Sequence, residues 1–229
     1  MRLFDLSPAI DPDLPVWPGD EPFRCRFSQS LSTGEGANVG CFSTTTHLGS
    51  HVDAPLHTEA SGPSIDQLAL EPFLGPCRVI DASAWPVRGE LALPLAALPP
   101  HVLNGPHLPQ RVLFKPLSLR DRHRFSPDFA GLSPELAARL AALGVLLVGI
   151  DTPSIDPFAA EDLPAHHALA GAGVALLEGL VLDAVPAGDY ELIALPLRLA
   201  GLDASPCRAV LRDLPADAAT TARRPGDGP

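Results

Sequence analysis

Short runs of apolar residues, separated by proline and glycine, recur along the whole chain. Runs that are bounded by proline predict buried strands at residues 76–82 and 110–115. Other segments rich in β-forming residues predict strands at residues 2–7, 38–46, 145–150, 190–199 and 207–211. The 229 residues include 27 prolines and 19 glycines. We therefore expect many short elements joined by turns.

The clearest helical pattern follows Ser133, which is a favourable N-cap residue. Pro134 suits the first helical position, and Glu135 suits the positive end of the helix dipole. Leu136, Leu140 and Leu143 then form an apolar stripe at helical spacing. Gly144 is expected to end the helix. Because a predicted strand comes next, at residues 145–150, the pattern indicates the α/β class.

The domain organisation predicted from the sequence is simple. No stretch of the sequence has the composition of an interdomain linker, and 229 residues suffice for one core of ordinary size. We expect a single domain over residues 1–214. Residues 215–229 are rich in Ala, Asp, Thr, Arg, Pro and Gly, and we expect them to form a flexible C-terminal tail.

The charge balance narrows the possible functions. The sequence has 16 Lys and Arg against 27 Asp and Glu, a formal net charge of −11. Nucleic-acid binding needs clustered cations, so we expect no nucleic-acid partner. The sequence has no apolar run of the roughly 20 residues that span a bilayer, and its start lacks the apolar core of a signal peptide. We expect a cytoplasmic protein with a small-molecule substrate and no membrane partner.

One segment of eleven residues concentrates metal-binding side chains: His47, His51, Asp53 and His57. A straight strand would hold residues 47 and 53 about 20 Å apart, at roughly 3.3 Å per residue. A helix would turn Asp53 away from His47 and His51, so we expect the chain to bend at Gly49. Two imidazoles and a carboxylate are typical ligands of a catalytic zinc or a similar divalent ion. His57, beyond the bend, suits a general acid or base.

A second group of candidates lies further along the chain. Glu178 is a lone carboxylate in an apolar run, which is costly to bury unless it is paired or bound to a metal; the alternative is that it faces water. Either His166 or His167, upstream, could reach the same metal, and the residues alone leave that choice open. The remaining histidines of proline- and arginine-rich stretches are expected to be solvated: His101, His107 and His123.

The eleven-residue motif His47-x-Gly49-Ser50-His51-x-Asp53-x-Pro55-x-His57 resembles the H-x-G-T-H-x-D-x-P-x-H signature of the metal-dependent cyclase-like hydrolases. Ser50 replaces the usual Thr and keeps its hydroxyl. Similar stretches cover nearly the whole chain: residues 17–20, 149–157, 166–167 and 177–180. Within that family, the Gly-Ile-Asp-Thr-Pro-Ser segment at residues 149–154 narrows the resemblance to the bacterial kynurenine formamidases, also called arylformamidases.

The resemblance implies an α/β fold with a mixed, β-barrel-like sheet and flanking helices, the swivelling β/α/β fold of cyclases, in a homodimer. It implies that two Zn²⁺ ions are held by His47, His51, Asp53, His166 and Glu178, with Asp53 bridging, and it thereby selects His166 over His167. It also implies that His57 transfers protons and that Trp17, in the loop at residues 12–21, contacts the substrate. The implied reaction is hydrolysis of N-formyl-L-kynurenine to L-kynurenine and formate, in tryptophan degradation.

Two other functions compete with this interpretation. A hydrolase of the same superfamily that acts on a cyclic amide such as isatin, with manganese as a possible metal, would share the eleven-residue motif. A non-catalytic, cupin-like metal-binding module is also compatible with the spacing of His51, Asp53 and His57, although cupins add a Glu and a Gly at spacings that are absent here. The residues do not distinguish zinc from manganese or cobalt, because these ions accept the same ligands.

Overall fold

The computed structural model describes residues 1–87, 91–99, 109–119 and 121–214, and these contain thirteen strands and two α-helices. The strands are β1 (Leu3–Asp5), β2 (Arg24–Gln29), β3 (Val39–Ser43), β4 (His51–Asp53), β5 (Leu74–Asp81), β6 (Ala92–Leu93), β7 (Arg111–Lys115), β8 (Gly131–Leu132), β9 (Leu147–Ile150), β10 (Ala175–Glu178), β11 (Gly188–Ile193), β12 (Ala204–Pro206) and β13 (Val210–Asp213). The helices are α1 (Pro134–Ala142) and α2 (Pro164–Ala170). His101, His107 and the tail predicted at residues 215–229 lie outside the described residues.

Nine of the strands form one mixed sheet, in the order β1-β13-β11-β5-β7-β9-β10-β4-β12. Its central strands β5, β7, β9 and β10 pair in parallel, and the outer strands pair antiparallel. The sheet curls into a half-barrel with few helices. This confirms the predicted α/β class with a mixed, barrel-like sheet. Two small sheets, β2 with β3 and β6 with β8, stand apart from it.

Each face of the central sheet packs against its own hydrophobic core. Successive residues of a strand point to opposite faces, so Phe114 of β7 enters one core while its neighbour Leu113 enters the other. The first core also contains Leu136 and Leu140 of α1. The second contains Phe73, just before β5. The central strands are apolar on both sides, as parallel strands covered on both faces require.

Helix α1 forms where the sequence predicts it. The Ser133 hydroxyl accepts a hydrogen bond from the Leu136 amide at 3.2 Å, which satisfies one of the free donors at the helix start. Leu136, Ala137 and Leu140 are buried. Gly144 then adopts a left-handed conformation (φ +76°) and ends the helical segment. The strand β9 follows, as predicted.

The two predictions near the end of the chain are wrong in their bounds. The strand predicted at residues 190–199 is β11, which ends at Ile193. The strand predicted at residues 207–211 is interrupted, because residues 207–209 form an irregular link between β12 and β13. There the Cys207 amide donates to the Ser50 carbonyl, and the Ala209 amide donates to the Ser7 hydroxyl. These backbone groups are thus bonded outside the strand ladder.

Strand β2, which is not among the predicted strands, pairs with β3 in an exposed hairpin. All six residues of β2 are exposed, so no alternation of buried and exposed positions marks the strand. Phe27 of β2 and Phe42 of β3 expose 64% and 70% of their surface. Two large aromatic side chains therefore face outward on this hairpin. In the described ranges, no helix is both long enough and apolar enough to cross a membrane.

Candidate metal centre and substrate cavity

The segment with three histidines bends where the sequence predicts it. Gly49 has φ +58°, a left-handed conformation that favours glycine, and a Cβ there would lie 3.2 Å from Pro8 Cγ. The bend separates His47 from β4, which carries His51 and Asp53. Alternate residues of β4 share a face, so these two side chains lie side by side while Val52 between them enters a hydrophobic core.

The sheet brings the other candidates to the same place. β4 pairs antiparallel with β10, and the register sets Glu178 opposite His51. His166 lies in α2 with 2% of its surface exposed, whereas His167 is exposed to solvent. The structure thus places His166, and not His167, beside Asp53 and Glu178.

Three imidazoles and two carboxylates converge in this cluster, which we call the ligand cluster: His47, His51, Asp53, His166 and Glu178. The His47 Nδ1 atom is 3.1 Å from Asp53 Oδ1. The His51 Nε2 atom is 3.4 Å from both Asp53 Oδ1 and Glu178 Oε2. The His166 Nε2 atom is 3.4 Å from Asp53 Oδ2 and 3.2 Å from Glu178 Oε1. Each imidazole therefore directs one nitrogen at the carboxylates.

The second nitrogen of each ring has an acceptor on the outer side of the cluster. His51 Nδ1 lies 3.0 Å from the Gly49 carbonyl oxygen. His166 Nδ1 lies 2.7 Å from Asp156 Oδ2, and His47 Nε2 lies 3.0 Å from Asp203 Oδ2. A neutral imidazole has a single N–H. When that N–H donates outward, the inner nitrogen presents a lone pair to carboxylate oxygens.

A lone pair that faces a carboxylate is repulsive unless a cation lies between them. In the described part of the chain, His51 Nε2 and both carboxylate oxygens of Asp53 are buried without a hydrogen-bond partner. Buried polar atoms without a partner call for an explanation, and an ion is one. Imidazole nitrogens with carboxylate oxygens are the donor set of zinc and related divalent ions. The residues therefore fit a divalent metal.

The electrostatics of the cluster favour positive charge. Burial lowers the pKa of His47, but the carboxylates of Asp53 and Asp203 outweigh this and raise it to about 9. Burial likewise opposes the upward pKa shifts of His51 and His166, which Asp53 and Glu178 cause. A site that attracts protons this strongly also attracts metal cations, and the two compete for the same nitrogens.

His57 stands at the edge of the ligand cluster, in the helical turn Pro55–His57. Its ring centre is 4.3 Å from that of His47 and 5.7 Å from that of His166. One ligand atom each of His47, Asp53 and His57 lie within 4.8 Å of one another, and the same holds for His51, Asp53 and Glu178. His57 is thus close enough either to transfer a proton at the site or to bind a metal ion itself.

A cavity of about 730 Å³ opens onto the ligand cluster. Trp17 lines it with Phe125 and Phe158. The Trp17 ring centre is 5.5 Å from that of Phe125 in an edge-on arrangement, and 5.1 Å from that of Phe158 in a tilted one. One wall of the cavity is therefore aromatic, and the ligand cluster forms another.

The sequence of residues 4–157 matches the family model described as "Putative cyclase". The chain belongs to the cyclase family. Cyclase-family chains of known structure share its fold over most of its length. The structure of a potential metal-dependent hydrolase with cyclase activity is 28% identical, with a TM-score of 0.76, and the match covers 92% of this chain and 96% of that one.

Two further solved structures are similar to this cyclase-family protein. A predicted metal-dependent hydrolase from Bacillus stearothermophilus is 28% identical, with a TM-score of 0.75 over 92% of this chain and 97% of that one. Isatin hydrolase A from Labrenzia aggregata, bound to benzyl benzoate, is 26% identical, with a TM-score of 0.76 over 92% and 93%. This chain is thus a cyclase-family metal-dependent hydrolase.

The structure adds two carboxylates that the sequence analysis did not select. Asp156 accepts hydrogen bonds from the Ala165 and His166 amides and from His166 Nδ1, so it fixes both the start of α2 and the His166 ring. It lies within the stretch 149–157 that carries the family resemblance, which was the only available signal. Asp203 contacts His47 and His57 from far along the chain, and no local pattern marks it.

Arg122 ties the cavity wall that carries Phe125 to the segments that follow β9 and β10. The Arg122 guanidinium donates to the backbone carbonyls of Leu180 at 2.9 Å and Asp151 at 3.2 Å, and to the Asp183 carboxylate at 3.0 Å. Leu180 lies two residues beyond the cluster residue Glu178. The loop that lines the cavity is thus joined to the segment just beyond β10, the strand that supplies a candidate ligand.

Proposed function

We propose that this cyclase-family hydrolase is an arylformamidase that converts N-formyl-L-kynurenine and water to L-kynurenine and formate. The observation that carries the proposal is the aromatic cavity of about 730 Å³ that opens onto the ligand cluster. An aryl formamide fits such a site, because its ring can pack on Trp17 while its formyl group reaches the cluster. The resemblance of residues 149–154 to kynurenine formamidases supports the same substrate.

The metal proposed for this site is zinc, with two ions per chain. We assign His47, His51 and Asp53 to one ion, and Asp53, His166 and Glu178 to the other. When bound, such ions supply Lewis acidity toward water and toward the amide carbonyl. Asp156, Asp203 and the Gly49 carbonyl orient the imidazoles from outside, as acceptors around metal-binding histidines do.

The remaining residues have roles around the reacting amide. Hydrolysis places the water oxygen on the formyl carbon, breaks the C–N bond and adds a proton to the departing arylamine nitrogen. We assign delivery of that proton to His57, which lines the cavity beside the ligand cluster. Trp17 and Phe158 hold the ring and exclude water from that side.

A serine nucleophile is not part of this proposal. Ser50 is the hydroxyl residue of the eleven-residue motif, and it is buried. Its Oγ atom lies 3.0 Å from the carbonyl oxygens of Leu6 and Gly179. The hydroxyl therefore joins the bend to two neighbouring segments of backbone. This explains why Ser can replace Thr at the position.

A cyclic-amide hydrolase is the second candidate function, because an isatin hydrolase is among the similar structures. The two candidates differ in their products: a linear formamide yields two molecules, and a cyclic amide yields one ring-opened acid.

We also propose a homodimer, in which the β2–β3 hairpin contacts a second copy of the chain. A lone hairpin with Phe27 and Phe42 more than half exposed is unusual on a monomer surface. Light scattering of the wild type and of a double variant, Phe27→Ser with Phe42→Ser, tests this. A dimer mass that falls to the monomer mass in the variant supports the proposal, and a monomeric wild type rejects it.

The substrate assignment is tested by steady-state hydrolysis of N-formyl-L-kynurenine and of isatin by the same zinc-loaded sample. We expect kcat/KM for the formamide to exceed that for isatin by at least about tenfold, a difference of roughly 1.4 kcal/mol in transition-state binding. The opposite ratio would favour the cyclic-amide hydrolase. A folded, zinc-loaded sample that hydrolyses neither compound would reject both.

A further inference from the structure

The Asp203 carboxylate lies between two imidazoles of the site. Its Oδ2 atom is 3.0 Å from His47 Nε2 and 3.5 Å from His57 Nδ1, and its Oδ1 atom accepts a hydrogen bond from the Thr46 hydroxyl at 3.0 Å. The Asp203 backbone carbonyl accepts the Ala54 amide at 2.8 Å. Asp203 is thus bonded to the chain on either side of His47 and His51.

We propose that Asp203 is a positioning residue that fixes which ring nitrogen carries the proton in both His47 and His57. The inference rests on the proposed function, because it assigns these two histidines to metal binding and to proton transfer. It adds a residue that joins the two roles through one oxygen atom.

A neutral His47 ring carries one N–H, on either Nδ1 or Nε2. Its Nε2 atom faces a carboxylate oxygen and its Nδ1 atom faces Asp53 at 3.1 Å. A hydrogen bond from Nε2 to Asp203 leaves Nδ1 unprotonated, which is the form that binds a metal. The Gly49 carbonyl does the same for His51, and Asp156 does it for His166. Asp203 therefore completes a set in which each ligand imidazole has its own outer acceptor.

In His57, the same oxygen faces Nδ1 instead of Nε2, so it favours the opposite tautomer. Its Nδ1 atom faces Asp203, so Nδ1 carries the outer proton and Nε2 is the nitrogen that exchanges a proton with the substrate. The 3.5 Å separation is long for a hydrogen bond, and such contacts in a free enzyme shorten when substrate binds. A carboxylate oxygen can accept two hydrogen bonds. One atom of Asp203 can thus serve both rings.

The test is Asp203→Asn, which keeps the size of the side chain and removes its charge. We expect the zinc affinity, measured by competition with a chromogenic chelator, to fall about 10- to 100-fold. At saturating zinc, we expect kcat for N-formyl-L-kynurenine to fall about 10-fold or more with KM within twofold of the wild type. Long-range ¹H–¹⁵N spectra of the zinc-loaded protein are expected to show His57 protonated on Nδ1 in the wild type and a mixture of tautomers in the variant.

Two controls separate positioning from folding. Asp189→Asn removes an aspartate of β11 that pairs with Arg78, away from the cavity, and is expected to leave zinc affinity and kcat unchanged. Asp81→Asn removes the exposed aspartate at the end of β5, whose carboxylate accepts hydrogen bonds from Ser83, and it is likewise expected to leave both unchanged. Equal melting temperatures for the three variants would show that the fold is kept.

The inference is overturned if Asp203→Asn keeps both zinc affinity and kcat within twofold of the wild type. An unchanged His57 spectrum in the variant would show that Asp203 does not fix the His57 tautomer, and would overturn that part of the inference. The zinc and tautomer measurements need no substrate. If the wild type fails to hydrolyse the formamide, the proposed function fails, while these measurements still decide whether Asp203 orients the two rings.

Discussion

Glu178 lies directly opposite His51 in the antiparallel pair of β10 and β4, and its Oε2 atom is 3.4 Å from His51 Nε2. Side chains at directly opposed positions of neighbouring strands point to the same face of the sheet, a few ångströms apart. The register of this one strand pair therefore joins the histidine segment to the second group of candidates. A shift by one residue would turn Glu178 to the other face and break up the ligand cluster.

Glu178→Gln tests the part that this carboxylate plays in metal binding. The amide keeps the size of the side chain, and its oxygen can still accept the Ile155 amide, which donates to Glu178 at 2.6 Å. The variant loses the negative charge, and one acceptor oxygen becomes an NH₂ donor, so we expect zinc affinity to fall at least about 100-fold with the fold intact. Metal analysis of the dialysed protein measures this. Glu59→Gln, at an exposed position, is the matched control, and equal zinc contents in the two variants would contradict the assignment.

His57→Gln separates the two roles that the position of His57 allows. If His57 transfers protons, kcat falls by about 100-fold or more and bound zinc per chain is unchanged. Zinc content and kcat are measured on the same sample. A loss of zinc equal to that of His47→Gln would show that His57 is a ligand instead, and wild-type turnover would reject both roles.

Trp17→Leu tests the aromatic wall of the cavity. The variant keeps an apolar side chain but loses the ring contacts with Phe125 and Phe158 and with the substrate, each worth about 1 kcal/mol. We expect kcat/KM for the formamide to fall about tenfold, mostly through KM. Trp85→Leu is the control, because Trp85 packs on Phe114 in a hydrophobic core. Its kinetics are expected to match the wild type, and an equal change in KM would remove Trp17 from the substrate site.

The stability of the protein is expected to depend on pH through Asp151. Burial raises the pKa of Asp151 to about 7, against the lowering effects of Arg122, the Leu117 amide and Lys115 and with a small raising effect of Asp183. The folded state therefore binds this proton more tightly than the unfolded state does. The contribution of this protonation to the free energy of unfolding is complete below about pH 4 and is lost as the pH rises to about 7.

Asp151→Asn removes that titration. The wild type is expected to lose on the order of 2 to 4 kcal/mol of unfolding free energy from this group between about pH 4 and pH 7. The variant should lack that part of the slope, so its stability relative to the wild type should increase with pH. Urea unfolding at several pH values measures both curves. Parallel curves would show that Asp151 does not titrate in this range.

Local patterns in the sequence predict the parts of the site that depend on short-range geometry. The spacing of His47, His51 and Asp53 excludes a straight strand and a helix, so a bend at Gly49 could be predicted, and the structure has it. The N-cap at Ser133 was predictable for the same reason, because its partner is three residues away. Predictions of this kind need only the chemistry of neighbouring residues.

Other parts depend on pairings between distant segments, which no local pattern encodes. Asp203 contacts His47 across 156 residues, and only the pairing of β12 with β4 brings it there. The exposed strand β2 carries no buried face, so it lacks the alternation that marks a strand. Residue chemistry left His166 and His167 equivalent, and the orientation of α2 is what separates them in the structure.

Metal-dependent formamide hydrolysis is tested by a zinc titration of chelator-treated protein, in which bound zinc and hydrolysis of N-formyl-L-kynurenine are measured together. We expect the zinc-free protein to be folded and to show almost no turnover. Activity should rise with zinc content and reach its maximum at up to two ions per chain. A folded, zinc-free protein that hydrolyses the formamide as fast as the zinc-loaded protein would contradict this expectation.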